Sequence, residues 1–262
     1  MKANHSEKSN KIIVEVSADI ISILDIDEIN SIFHVQFFLH LTWFDSRLKF
    51  YNLKNDLGLN TLSPSEKREI WKPVLVFENT ELKQSTVVDD DASVTIKKSG
   101  DFSLSEMNRV ENQQEFGGEE NSLILSRFYN TRFICHYNMQ WYPFDVQVCY
   151  LSLSLKGKSS DFAHMKTKVL QYLGVLEVNQ YVVTNFSMLV NDHEPGNSNL
   201  KISIILGRRL LTIVLTTFVP TVLLSIISFS TNHFKGFFFE AIVTVNLTVL
   251  LVLTTLFIKV SL

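Results

Sequence analysis

Cys135–Cys149, CHYNMQWYPFDVQVC, holds the only two cysteines of a 262-residue chain, with thirteen residues between them. A bridge, a metal site and two reduced thiols are all open to such a pair. The spacing is wider than the C-x(2–4)-C of zinc sites and no second cysteine pair exists, which argues against zinc. A bridge closing a loop of this length contributes about 3 kcal/mol on the chain-entropy account, and it requires an oxidising compartment. Within the loop Tyr142-Pro143 is open to a cis peptide. Phe144 supplies an apolar tip that a soluble domain would hide, so the loop makes sense if it rests on another apolar body.

The chain offers that body further on. Leu210–Thr231, LLTIVLTTFVPTVLLSIISFST, carries no ionisable group and is long enough to cross a bilayer. After the polar link NHFKG comes FFFEAIVTVNLTVLLVLTTLFI, Phe237–Ile258, in which the 18 residues from Ala241 onward are uncharged. Neither stretch has the polar face of a helix lying on a soluble core. The composition, 46% hydrophobic, supplies ample material for a folded core. A net charge of -3 from 24 basic and 27 acidic residues gives no electrostatic reason to expect a nucleic-acid partner. No nucleophile–base constellation or phosphate-cradling loop points to an enzyme, and no cofactor is implied. The opening MKANHSEKSNK lacks the apolar run of a secretory signal, and the sequence stops four residues after the second apolar stretch. A piece of a longer protein is therefore expected.

Residues up to about 207 predict an all-β sandwich, because β-branched and aromatic runs recur between polar turns: KIIVEVSADIISIL, SIFHVQFFLHLTWF, NSLILSRFYNTRFI, VQVCYLSLSL, QYVVTNFSMLV and NLKISIIL. SPSEKREIWKPVLVF opens with a helix-start signal and returns to strand character at Val74. Glu78–Glu120, rich in charge, Gly, Ser and Asn, reads as solvated turns.

Four ordered motifs then carry a resemblance. The loop with thirteen residues between cysteines and an aromatic-Pro-Phe-Asp centre is similar to the signature loop of the Cys-loop family of pentameric ligand-gated ion channels. LTWFDSRLKFYNL (Leu41–Leu53) resembles that family's second-strand pattern, IWKPVLVFEN (Ile70–Asn79) its Trp-x-Pro segment, and GRRLLTIVLTTFVP the approach to its first span. The resemblance implies an extracellular ligand-binding β-sandwich over 1–207 and transmembrane helices over 208–262, with a first span at about 210–231. A pore-lining second span would lie at about 237–258. It implies a multi-pass subunit in the plasma membrane, its N-terminal domain extracellular. Its partners would be homologous subunits in a homo- or hetero-pentamer, a small extracellular ligand or ion, permeant inorganic ions and the lipid bilayer. A binding or regulatory subunit that does not conduct alone is the alternative.

The residues support a pore face independently. At 100° per residue, Glu240, Thr244, Thr248, Leu251 and Thr255 fall within an arc of roughly 80°. Hydroxyls on a membrane helix can equally bond within it or to neighbours, but a carboxylate on the same face is at home at a water-filled mouth. Leu251 would be the ring that closes by dewetting, while Asn246 on the opposite face packs against another helix. GFFFEAIV lacks the Pro-Ala-Arg run of anion-selective members, and a Glu240 ring favours cations. The same stretch also resembles an arthropod branch that includes zinc- and proton-gated chloride channels, so the permeant sign stays open.

At the ligand site the resemblance assigns Phe38 to an aromatic position, Lys156 to a place where Trp or Phe is common, and Glu78 to another aromatic place. The hairpin NDHEPGNSN has no adjacent cysteines and no aromatic, which makes an acetylcholine cage a poor fit. It offers Asp192, His193 and Glu194; His193 and Glu194 are candidate metal or proton ligands, against a solvated polar turn as the plain reading. For coupling, the resemblance brings together Asp25, Asp27 and Glu28 of the first hairpin, Phe144 and Asp145 of the cysteine loop, and Arg208. Asn4 and Asn185 begin N-x-S/T sequons suited to an exposed lumenal surface; Asn246 does too, inside an apolar span.

Overall fold

Alternation along the strands decides which face each residue takes. In β2 (Ile32–Trp43) Phe33, Val35, Phe37, Leu39, Leu41 and Trp43 are all buried, and the residues between them face outward. The same period places Val14, Val16, Ala18 and Ile20 of β1 (Ile12–Asp27) in the core until two bulges, at Ile20/Ser22 and Ile23/Asp25, shift its lower end. In a computed structural model of the chain, residues 11–81, 92–100, 114–155, 162–194, 197–231, 233 and 239–261 are described. Of these, 191–194, 197–198 and 257–261 are described by backbone alone.

Two five-stranded sheets enclose the core. The first has β1 and β2 flanked by β5 (Ser93–Lys97), β7 (Ser122–Ile134) and β9 (Ala163–Tyr172), in the order β5-β7-β2-β1-β9. The second runs β10-β11-β12-β8-β4, built from β4 (Leu75–Phe77), β8 (Val146–Leu155), β10 (Glu177–Val178), β11 (Tyr181–Glu194) and β12 (Asn197–Arg208). A small pair, β3 (Lys49–Tyr51) and β6 (Glu115–Gly117), lies apart. Among the described residues every ladder is antiparallel except β1 with β9. Between the sheets Phe77 meets Phe37, Tyr129 and Phe133 edge-on at 5.0–6.0 Å, the geometry that ring quadrupoles favour. Helix α1 (Pro64–Glu69) starts on a capping box between Ser63 and Glu66, with Pro64 in its first turn.

Among the described residues the chain is therefore built of strands through Arg208, with the short helix α1 and a 3-10 turn at Leu57–Asn60, and it is helical over Leu210–Thr231 and Phe239–Ser261. Helix α2 (Leu210–Thr231) and helix α3 (Phe239–Ser261) are each long and apolar enough to cross a membrane, and most of their large side chains are exposed. Within α2 a π turn over Val214–Phe218 precedes Pro220. Proline donates no N–H and its ring crowds the carbonyl four residues back, so a wider turn accommodates it.

Two parts of the sandwich depart from the sequence expectation. Glu78–Glu120 is not all turns, because β5 and β6 lie within it and bury Val94, Ile96 and Phe116. Strands with one or two inward apolar residues are too short to show a period. β9 has no run in the pattern because, within it, only Ala163 and Met165 are buried; pairing along β1 holds this largely unburied strand in the sheet. Removing the ring at the centre of the aromatic cluster, Phe77→Ala, is expected to cost about 3–5 kcal/mol, with Phe77→Leu milder. Thermal unfolding of the detergent-purified protein measures the loss.

Candidate functional site

The inward register of β12 runs Leu200, Ile202, Ile204, Leu206 and ends on Arg208, so an arginine occupies the last core-facing position of the sandwich. Its side chain is 1% exposed. A guanidinium withdrawn from water must find acceptors for its donors, and they come from separate segments. Asp145 of the cysteine loop takes two parallel bonds, from Nε at 2.7 Å and from Nη2 at 3.0 Å. Nη1 donates to Glu28 at 3.0 Å and to Gln180 at 3.1 Å. Nη2 also contacts Met139 Sδ at 3.2 Å and the Tyr181 hydroxyl. The ring centroids of Tyr142 and Tyr181 lie 4.9 and 4.5 Å from the guanidinium carbon, two cation–π contacts.

The cysteine loop is shaped to deliver Asp145. Cys135, just beyond β7, and Cys149 of β8 are joined, so the bond ties the first sheet to the second. Gln147 accepts from the Asn138 N–H and donates to the Asn138 carbonyl and to Asp145, holding the carboxylate from inside the loop. Tyr142-Pro143 is cis. Phe144 projects outward, 72% exposed, beside Trp141.

Of the acidic residues in the first hairpin, only Glu28 bonds to Arg208. Asp27 accepts from the backbone and side chain of Asn30 and closes the turn. Asp25 reaches Asn179 at 3.4 Å. All three line a cavity of about 830 Å³ that runs from Arg208 and Tyr142 to Thr212, Thr216 and Leu256 of the two helices. Met139, Tyr142, Gln147, Gln180 and Tyr181 were not anticipated from the sequence. One signal was there: Gln147 is polar in the inward register of β8 while Val146 and Val148 face out.

The other anticipated residues are dispersed. Phe38 lies on the outer face of the first sheet, against His40 and Phe128 at 6.1 and 5.2 Å. Glu78 is at the end of β4 in the second sheet and accepts from Ser154 Oγ. His193 and Glu194 are on the backbone of β11 only; Lys156 and Asn4 lie outside the described residues. Asn185 is exposed on β11. On α3, Glu240, Thr244, Thr248, Leu251 and Thr255 are all exposed along one face. The threonines at 244, 248 and 255 donate to carbonyls of their own helix at 2.7–2.8 Å, which leaves their oxygens free to accept.

Burial by itself would raise the Asp145 carboxyl, but the bonds from Arg208 and Gln147 outweigh it and hold the group below its ordinary value of 3.8. Burial, and then Glu28, push the Tyr181 phenol up, so it stays neutral. A depressed carboxyl stabilises the fold above its unfolded value and loses that contribution as pH falls through the folded one. The gap in thermal midpoint between the wild type and Asp145→Asn is thus expected to be constant from about pH 9 to about pH 5. It closes only below the ordinary value of 3.8, as melting curves across pH would show.

Comparison with known proteins agrees with this layout. Residues 2–113 match the model of the family described as neurotransmitter-gated ion-channel ligand binding domain. The chain is 29% identical over 252 residues to the γ-aminobutyric acid receptor subunit theta of Mus musculus, an alignment covering 93% of this chain and 35% of that protein. It is 23% identical over 252 residues to the glutamate-gated chloride channel of Drosophila melanogaster, covering 93% and 50%. It is 24% identical over 255 residues to the γ-aminobutyric acid receptor subunit beta-4 of Gallus gallus, covering 94% and 47%. The chain spans half the length or less of these relatives. They are receptor and channel proteins, and with the sandwich, the cysteine loop and the two apolar helices they lead to one conclusion: the chain is similar to the neurotransmitter-gated ion-channel proteins, through the ligand-binding-domain model over residues 2–113 and through these relatives over 93–94% of its length.

Proposed function

We propose that the chain is part of one subunit of a pentameric, extracellular ligand-gated ion channel of the plasma membrane. In this reading the sandwich faces outward and binds a small ligand or ion, and α3 lines the pore through Glu240, Thr244, Thr248, Leu251 and Thr255. The observation that carries it is the Arg208 cluster, where one buried cation ties Glu28 of the first hairpin and Asp145 of the cysteine loop to the residue two places before α2. An ion-paired cluster linking several segments can hold two discrete arrangements. That is what coupling between a binding domain and a pore requires.

The stripe on α3 supports the pore assignment because it faces away from α2. The buried residue Val249 and the α2-bonded Asn246 lie on the opposite side. Phe38 and Glu78 are on different sheets, so a ligand touching both faces would sit between neighbouring subunits. The relatives named for γ-aminobutyric acid and glutamate make those two compounds the first probes, with zinc and protons next for His193 and Glu194.

Arg208→Ala leaves Asp145 buried without its partner, a change worth about 3–5 kcal/mol. Glu28→Gln removes only the half-exposed arm. Each variant is expected to reach the cell surface, less so for Arg208→Ala, and to lose most of the current evoked by the probe that opens the wild type. Surface labelling and voltage clamp of the full-length subunit check this; undiminished currents contradict the coupling role. A subunit silent alone but active with a co-expressed relative would favour the regulatory alternative. At the pore mouth, Glu240→Ala is expected to raise chloride permeability relative to sodium, read as a shift in reversal potential on ion substitution.

A further inference from the structure

Asn246 lies on the side of α3 turned toward α2. Its Oδ1 accepts a hydrogen bond from Ser228 Oγ at 2.8 Å. Thr231 Oγ1 donates to the Ser228 carbonyl at 2.8 Å and lies 3.4 Å from the same Asn246 oxygen. Ser228 and Thr231 are three residues apart at the end of α2, so they share a face and meet one point on α3. The amide hydrogens of Asn246 have no acceptor among the described residues.

A carboxamide inside an apolar span is unfavourable unless it is bonded, because lipid offers no substitute partner. Two apolar helix faces in lipid also have little that fixes how one is rotated on the other, since no water is driven out between them. Dispersion between leucines and valines changes little on a small turn of the helix. The bond from Ser228 to Asn246 is satisfied at one rotation and lost at others. Asn246 stands about 200° around α3 from the middle of the Glu240–Thr255 stripe, so whatever fixes its rotation fixes that of the stripe.

We propose that Asn246, with Ser228 and Thr231, forms a polar latch that sets the rotation of α3 against α2 and so positions the face carrying Thr244, Thr248 and Leu251. Asn246 is a positioning residue: it acts through the orientation of its helix and touches no ion. The inference rests on the reading of α3 as the pore helix.

The test needs no agonist. Thr248→Cys is introduced into the full-length subunit, and permeabilised membranes are treated with a charged methanethiosulfonate that reaches the pore from either side. Asn246→Leu is expected to change the rate of modification about threefold to tenfold. Ser228→Ala changes it similarly, and the double variant adds nothing to either single one. Ser228→Thr, which keeps the hydroxyl, restores the original rate. Should Asn246→Leu fail to accumulate, Ser228→Ala and Thr231→Val carry the same comparison. Rates indifferent to all these changes, or effects that add, overturn the latch. If the cysteine at 248 does not react in any background, the pore reading fails instead. The latch is then decided by thermal midpoints of the same double-mutant cycle without the cysteine: non-additive shifts keep it, additive shifts remove it.

Discussion

The buried guanidinium of Arg208 constrains everything around it. It stands where an apolar residue would complete the inward register of β12, after Leu206 and two residues before α2. Its hydrogens are satisfied only if the first hairpin, the cysteine loop and the turn before β11 all arrive within 2.7–3.1 Å of it. An apolar cluster of the same volume could hold this corner as firmly, since buried ion pairs gain little net stability after desolvation. What charge adds is selectivity of arrangement: a lost contact here leaves a bare carboxylate or guanidinium, and intermediate placements are penalised more than in an apolar cluster.

The cysteine bond gains its meaning from that corner. Cys135 and Cys149 follow and belong to strands of different sheets, so the loop between them cannot move without drawing on both. Gln147 fixes the loop internally, and Asp145 passes its position on to Arg208. Arg209 extends the connection, meeting Glu177 at 2.8 Å on the half-exposed rim. The start of α2 is thus held to the sandwich by two consecutive arginines, one in dry surroundings and one in wet.

Much of this was legible in the sequence, for reasons that differ by element. β2 and β12 declare themselves because long strands with one buried face repeat their period five or six times. α2 and α3 declare themselves by length without charge. Glu28, Asp145 and Arg208 could be placed together through the family resemblance, although periodicity alone already puts Arg208 on the core side of β12. β5, β6 and β9 were illegible because strand pairing, rather than local pattern, holds them in place. Met139, Tyr142 and Gln180 were invisible for another reason: each lies in a loop or turn, where residue type says little about direction. Asp25 and Asp27 look equivalent to Glu28 in the string LDIDEIN, and only the bulges of β1 and the turn at Asn30 decide that Glu28 alone meets the arginine.

Side-chain hydrogen bonds that tie α2, or Arg208 just before it, to another element stand at two levels among the described residues, while Thr216, Thr221 and Ser225 between them bond only within α2. At one end of α2 the Arg208 cluster fixes where the helix leaves the sandwich. At the other end Ser228 and Thr231 meet Asn246, and α3 begins beyond them. Between the two levels lies the π turn ahead of Pro220, where the regular ladder of backbone bonds is already interrupted. A helix bends most readily where its ladder is broken. The π turn is thus where a displacement at the Arg208 end would most readily be absorbed as a bend. In the proposed coupling, whatever is not absorbed there would reach Asn246 as a rotation or shift of α3. The stiffness of that single turn relative to the hydrogen bond at Ser228 then decides how much of a movement in the sandwich reaches the face that carries Thr248 and Leu251.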